Sequence, residues 1–264
     1  MSDWLHDLPI VWMALIVFGF TYLVAAAIHV VVSALAVGER ARAFKAVSPG
    51  MLPPLGIIFG LFVGFTAAQV WNDNERASAA VSREASALRS AAVLATAFPG
   101  ESETRLRSLI RSYIAAATAR EWPMMAHGTI TLQVKPHFLA EALQQTLALA
   151  PDSQGQQIAQ REIVTALESV FDARQQRIEI SASHVNWIKW SCLYLQAACA
   201  LFAIAMVHGD NRGAAAITMG LFATGVAASV LLIAAYDRPF IGEISVGPAP
   251  LLQVMPAAET DRQQ

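Results

Sequence analysis

Four stretches of this sequence contain no Asp, Glu, Lys or Arg, and each is long enough to cross a lipid bilayer. They are Leu8–Val37, Leu52–Trp71, Trp190–Val207 and Gly213–Tyr236, with 30, 20, 18 and 24 residues. About 20 apolar residues, rising about 1.5 Å each, span a hydrocarbon core of about 30 Å. Lipid offers the backbone no hydrogen-bond partners, so a segment that spans it closes its own bonds as a helix. Trp4, Trp12, Trp71, Trp187, Trp190 and Tyr236 sit near the edges of these runs. Amphipathic rings favour that depth. The charged fraction is 14% overall, below the roughly 25% of a soluble domain. All 38 charges fall outside the four runs, where the density is ordinary. A soluble enzyme, a secreted disulfide scaffold and a disordered chain are thereby excluded.

The chain divides as 1–71, a first transmembrane pair; 72–186, an extramembrane region; 187–236, a second pair; and 237–264, a C-terminal tail. The first run follows Asp3, His6 and Asp7 without Lys or Arg. It also exceeds the 7–15 apolar residues of a signal peptide, so the reading is an uncleaved span.

The hydrophilic block from Asn72 to Lys189 holds 12 basic and 12 acidic residues and reads as helical. Asn72–Phe98 has no Gly or Pro, and small apolar residues recur at Ala77, Val81, Ala85, Leu88, Ala92 and Ala95. One helix is therefore expected from Pro54 to about Ala97, passing without a break from the second span. Pro99-Gly100 ends it. Further helices are expected over about Ser102–Glu121, from Pro136 to before Pro151, and over Gln156–Ser181, the last with a pattern that could continue into the third span. Thr129–Val134 alternates and reads as a short extended linker. The fold class is all-α: four transmembrane helices, two plus two, around a large helical region between spans two and three.

The second span has two different faces. Gly56, Gly60, Gly64 and Ala68 repeat every four residues, a smooth stripe of the kind that lets helix backbones approach in lipid. Nearly opposite lie Phe59, Phe62, Thr66 and Gln69. The first set is expected to pack helices and build a homo-oligomer. The second is a candidate pore lining, with Phe rings as an apolar constriction and Thr66 and Gln69 in a wetter vestibule. The competing reading sets the Phe face against lipid or the first span and lets Thr66 bond its own backbone.

Charges flank the membrane at Asp73 and Arg76 after the second span, and at Asp172, Arg174 and Arg177 before the third. If those two helices are antiparallel neighbours, Arg–carboxylate pairs among these residues set their register. Glu121-Trp122-Pro123 reads as a helix stop with a buried Trp. His29, inside the first span, reads as a neutral imidazole bonded to a neighbouring helix, and His127 with His137 as a pair without a metal. Cys192 and Cys199 stand seven apart on one helix, about 10 Å apart along its axis, too far to bridge. No nucleophile elbow, phosphate loop, zinc motif or cofactor motif is present, so neither enzymatic chemistry nor a cofactor has support. The net charge of −2 gives no sign of a nucleic-acid partner. The partners read from the sequence are the lipid bilayer, further copies of the chain and small inorganic ions.

Four stretches resemble the bacterial bestrophin-like membrane proteins, a family distantly related to the bestrophin chloride channels. They are FGLFVGFTAAQVWNDNERASAAVSREASALRS from Phe59; Arg120–Pro123; SVFDARQQRI, Ser169–Ile178; and Tyr236–Ile244 with Val246–Leu251. The resemblance implies a ring of subunits with a pore lined by the second span, in the inner membrane of a bacterium. The dense acidic run that follows the last span in calcium-gated bestrophins is missing: only Asp237 and Glu243 stand there. Orientation is open. Arg40, Arg42 and Lys45 in the first loop favour a cytoplasmic loop and an external helical region by the positive-inside rule. The resemblance implies the reverse.

Overall fold

The structure is a computed structural model and describes residues 8–36, 44, 49–209 and 211–257. The basic first loop, on which the orientation reading rests, lies outside them, as does Trp4. The described residues form helices throughout, without a strand: α1 (Ile10–Leu35), α2 (Leu52–Leu94), α3 (Glu101–Ala116), α4 (Trp122–Ala126), α5 (His137–Leu147), α6 (Gln154–Ser181), α7 (Trp187–Val207), α8 (Arg212–Tyr236) and α9 (Ala249–Gln253). Four of them are long and apolar enough to cross a membrane: α1, α2, α7 and α8. The all-α, four-span class expected from the sequence holds.

The chain forms two compact units. One comprises the described residues through Asn72, with His184–Arg238 and Gly242–Ile244. The other comprises Asp73–Ser183, Pro239–Ile241 and the described residues from Ser245.

In the first unit, Met13 and Val17 of α1, Phe59 and Val70 of α2, Leu193 and Ala197 of α7, and Val226 to Ala234 of α8 make one core. Ala25, Ile28 and Val32 of α1 with Leu201, Ile204, Met219 and Ala223 make another. Alanines at these contacts let backbones come close, and close van der Waals contact holds helices together where water exclusion cannot. Several hydroxyls bond within their own helices. Thr21, Thr66, Thr218, Thr224 and Ser229 each donate to the carbonyl four residues back. One tertiary bond, 2.8 Å between the Tyr22 and Thr224 hydroxyls, ties α1 to α8.

The sixth helix stops at Ser181 and does not run into the third span. Asn186 caps α7 with its side chain, accepting from the Lys189 amide at 3.0 Å. The buried carboxylate of Asp237 accepts the Val185 amide at 2.6 Å. Those two bonds fix a turn where a continuous helix was possible.

In the second unit, α2 from Asp73, with α3, α5 and α6, encloses a core of Val81, Leu88, Ile110, Ile114, Leu139, Ile163 and Leu167. After the 3-10 turn Ala95–Ala97, Gly100 at φ 98° reverses the chain, a left-handed conformation open to glycine. Within Thr129–Val134 the last residues form a turn, closed by the Val134 amide on the Thr131 carbonyl at 3.1 Å, and no strand is formed. The chain after the fourth span is no free tail. Leu251 is fully buried in this core, and Trp122 donates its indole N–H to the Val246 carbonyl at 3.1 Å. Leu167→Ala removes a fully buried side chain, and it should lower unfolding stability by about 2–5 kcal/mol. Heat denaturation followed by circular dichroism checks this.

Candidate functional site

The second span is the first place to look. Thr66 is buried and donates to the Phe62 carbonyl at 2.8 Å. Phe59 is only 7% exposed, with its ring 5.7 Å from that of Phe222 in α8. Phe62 is half-buried against the same core. Gln69 accepts a hydrogen bond from Lys189 Nζ of α7. Of the candidate pore face, Phe59 and Thr66 are thus packed within the subunit, while Phe62 and Gln69 are half-buried. The reason is packing: a bulky aromatic finds more contacts against α8 than on an open side.

The opposite face is open. Gly56, Gly60, Gly64 and Ala68 are exposed. A methyl group added at any of the three glycines would meet no atom within 4 Å. Beside them Phe65 stands 74% exposed, with Ile57, Ile58 and Leu61 also uncovered. Farther along α2, in the second unit, small residues are again exposed: Ser78, Ala79, Ser82, Ser86 and Ser90.

The charges expected to flank the membrane fall into two groups. Among the described residues Asp73 and Arg76 pair with each other, one turn apart on α2 at 3.5 Å, with the Arg76 side chain exposed. Exposed pairs of that kind contribute little, about 0–1 kcal/mol. Asp172 makes no ion pair among the described residues. Arg174 and Arg177, by contrast, are buried, and their partners are two carboxylates that the flanking-charge reading did not include. Arg177 Nε donates to Glu84 Oε2 at 2.7 Å, and Nη2 to Glu84 Oε1 at 3.1 Å and Glu121 Oε2 at 2.9 Å. Arg174 donates to Glu121 Oε1 through Nε at 2.9 Å and Nη2 at 2.6 Å, and also to the Val134 carbonyl. Tyr113 completes the set, its hydroxyl donating to Glu84 Oε1 at 2.6 Å. The juxtamembrane network as first drawn is thus corrected: α2 and α6 are tied together by Glu84, three turns beyond Asp73.

Glu84 and Arg177 are each 0% exposed. Two negative and two positive charges cancel, and nearly every donor has an acceptor. The flat guanidinium of Arg177 also lies 4.6 Å over the Trp122 ring, a favourable cation–π position. Burial opposes the charge on Arg177, but the adjacent Glu84 carboxylate outweighs it and pushes its pKa above the ordinary range. Burial first, and then the charge of Glu84, hold the Tyr113 proton well above the usual phenol value.

Local sequence explains who reaches this cluster. At about 100° per residue, Glu84 falls within the Ala77–Val81–Leu88 stripe, and Arg174 and Arg177 fall on the Ile163–Leu167–Val170 stripe. Glu121 arrives by a different route. Residues Ala117–Glu121 form a π-helical turn between α3 and α4. Its wider winding carries Glu121 inward, and such turns recur at functional positions.

The residues of all four stretches that carry the family resemblance meet here: Glu84, Glu121-Trp122, Arg174 with Arg177, and Phe240 against the Trp122 ring at 6.0 Å. A family model described as a Bestrophin-like domain matches residues 9–251. The chain belongs to the bestrophin-like family. Among curated proteins none matches. Two crystal structures, each described as that of a membrane protein, share the fold of this bestrophin-like chain at 11% identity. Their TM-scores are 0.71 and 0.67, and each comparison covers 90% of this chain and 96% of the other.

Two outcomes follow for the cluster of the bestrophin-like chain. Arg177→Ala strands Glu84 as a buried, uncompensated charge and should cost about 3–5 kcal/mol, read from denaturant unfolding of the detergent-solubilised protein. Tyr113 gives a pH signature. Its native pKa lies above the unfolded value of about 10, so its contribution is complete below about pH 10 and is lost as pH rises through the native value. Tyr113→Phe should remove that alkaline fall in stability while lowering stability uniformly at neutral pH, in unfolding curves taken between about pH 9 and 12.

Proposed function

We propose that this bestrophin-like chain assembles as a homo-oligomeric ring in the inner membrane of a bacterium and conducts small inorganic ions, with the second span of each copy toward the axis. One observation carries the reading. The second span is the least covered of the four by its own chain: 17% of its apolar window is buried, against 28, 39 and 33% for the first, third and fourth. Its uncovered side is not simply greasy. One shoulder is the smooth Gly56–Gly60–Gly64–Ala68 stripe, suited to a neighbouring helix. The other carries Phe65 and Ile58, with half-buried Phe62 and Gln69 at its edge.

In this reading copies meet along the glycine shoulder. The aromatic edge narrows an aqueous path that passes ions when wetted and stops them when dry. Phe62 and Phe65 form the constriction, Phe59 and Thr66 support it from within the subunit, and Gln69 sits at its polar end. A non-conducting scaffold or sensor remains the second reading, favoured by the packing of Phe59 on Phe222.

The mass of the complex in mild detergent separates the readings. Four or more copies are expected. Gly60→Leu with Gly64→Leu should dissociate them while leaving each subunit folded, because a Cβ added at either position meets no atom within 4 Å. Phe62→Ala should raise the conductance of reconstituted bilayers. A monomer or dimer, or a closed ring without current with either residue at 62, overturns the channel.

A further inference from the structure

The second unit contains a cleft of about 860 Å³ that the channel reading does not use. Its walls come from α3, the π turn, α4, and the first residues of α5. That volume lies in the range of small-molecule sites, roughly 300–1,000 Å³. The lining is mostly apolar, with Ala119, Met124 and Phe138 among it. Three basic side chains border it: Arg120, Lys135 and His137. The acid that lines it is Glu121, whose two oxygens are already occupied by Arg174 and Arg177. With the cluster behind the wall neutral, the cleft carries the charge of Arg120 and Lys135 uncompensated.

Neither of those two residues makes an ion pair or hydrogen bond among the described residues, and both are exposed. Arg89, Arg111 and Arg161 of the same unit are likewise without a side-chain partner among the described residues, but none of them lines the cleft. The loop that presents Lys135 is itself fixed, since the Val134 carbonyl accepts from Arg174 at 2.9 Å. A pocket with an apolar lining and two unpaired cations at its rim selects by charge at its mouth and by contact at its base.

We infer that this cleft is a binding site for a small organic anion, one with an apolar body and a carboxylate or sulfonate head. The body lies on Ala119, Met124 and Phe138. The head pairs with Arg120 and Lys135, where hydrogen bonds to charged groups are the stronger kind. The site is independent of conduction, so its test needs no current.

The full chain in zwitterionic nanodiscs is titrated calorimetrically with 2-naphthoate, with empty nanodiscs as the blank. Saturable binding is expected. Arg120→Gln with Lys135→Gln should weaken it roughly tenfold or more, and both positions are exposed, so the fold is retained. Ala119→Trp should abolish it by filling the floor. The neutral 2-naphthamide and inorganic phosphate should each bind at least roughly tenfold more weakly, since each lacks one half of the recognition. Absence of saturation, an unchanged affinity in the double variant, or equal affinity for the amide or for phosphate overturns the proposal.

Discussion

The second unit is organised around one guanidinium. Arg177 takes Glu84 from α2 and Glu121 from the π turn, lies over Trp122, and touches the Met125 sulfur at 3.2 Å. Removing charges from water is expensive, and their mutual attraction repays it only with good geometry and full hydrogen bonding. Here both conditions are met. What such a cluster supplies over an apolar core is selectivity of arrangement. Leucines tolerate a one-turn slip of α6 along α2, whereas a slip here leaves two carboxylates and two guanidiniums buried without partners. The apolar stripes of α2, α3 and α6 bring the helices together, and the cluster fixes their register.

The membrane unit follows a different rule. It contains no comparable charge cluster among its described residues. Its cohesion comes from alanines at helix contacts, aromatic pairs such as Trp71 on Tyr236 at 5.7 Å, and hydroxyls that bond back to their own helices. The second span stands at the limit of this rule, with one side packed and the other bare. Its bare glycines are hard to account for as lipid contacts, since lipid chains gain more against larger side chains. Small residues at this spacing suit the close approach of helix backbones.

Much of this was legible from the chain alone, and the misses have physical causes. The four spans and the unbroken α2 follow from absence: no charge in one stretch, no Gly or Pro in the next. Arg174 was visible on an apolar stripe, and Glu84 was equally visible on another. Attention to charges near the membrane edge pointed instead to Asp73, which is nearer in sequence to the span and farther from the site. Glu121 depends on a π turn, and no 3.6-residue periodicity signals a turn of different width. The facing of Phe59 could not be decided by helix geometry, because a helical wheel separates two faces without saying which neighbour each will meet. The docking of the segment after Tyr236 has no periodicity at all. Its Pro and Gly residues suggest a loose end, and only tertiary contact with Trp122 gives it a place.

That docking has a bearing on how the protein is made. Phe240, Val246 and Leu251 complete the core begun by α2, α3 and α6, yet the ribosome reaches them only after the fourth span. The core of the helical unit is therefore completed only by residues that follow α7 and α8 in the chain. Until then Trp122 lacks its contacts with Val246 and Phe240, so closure of this core depends on the segment after the fourth span.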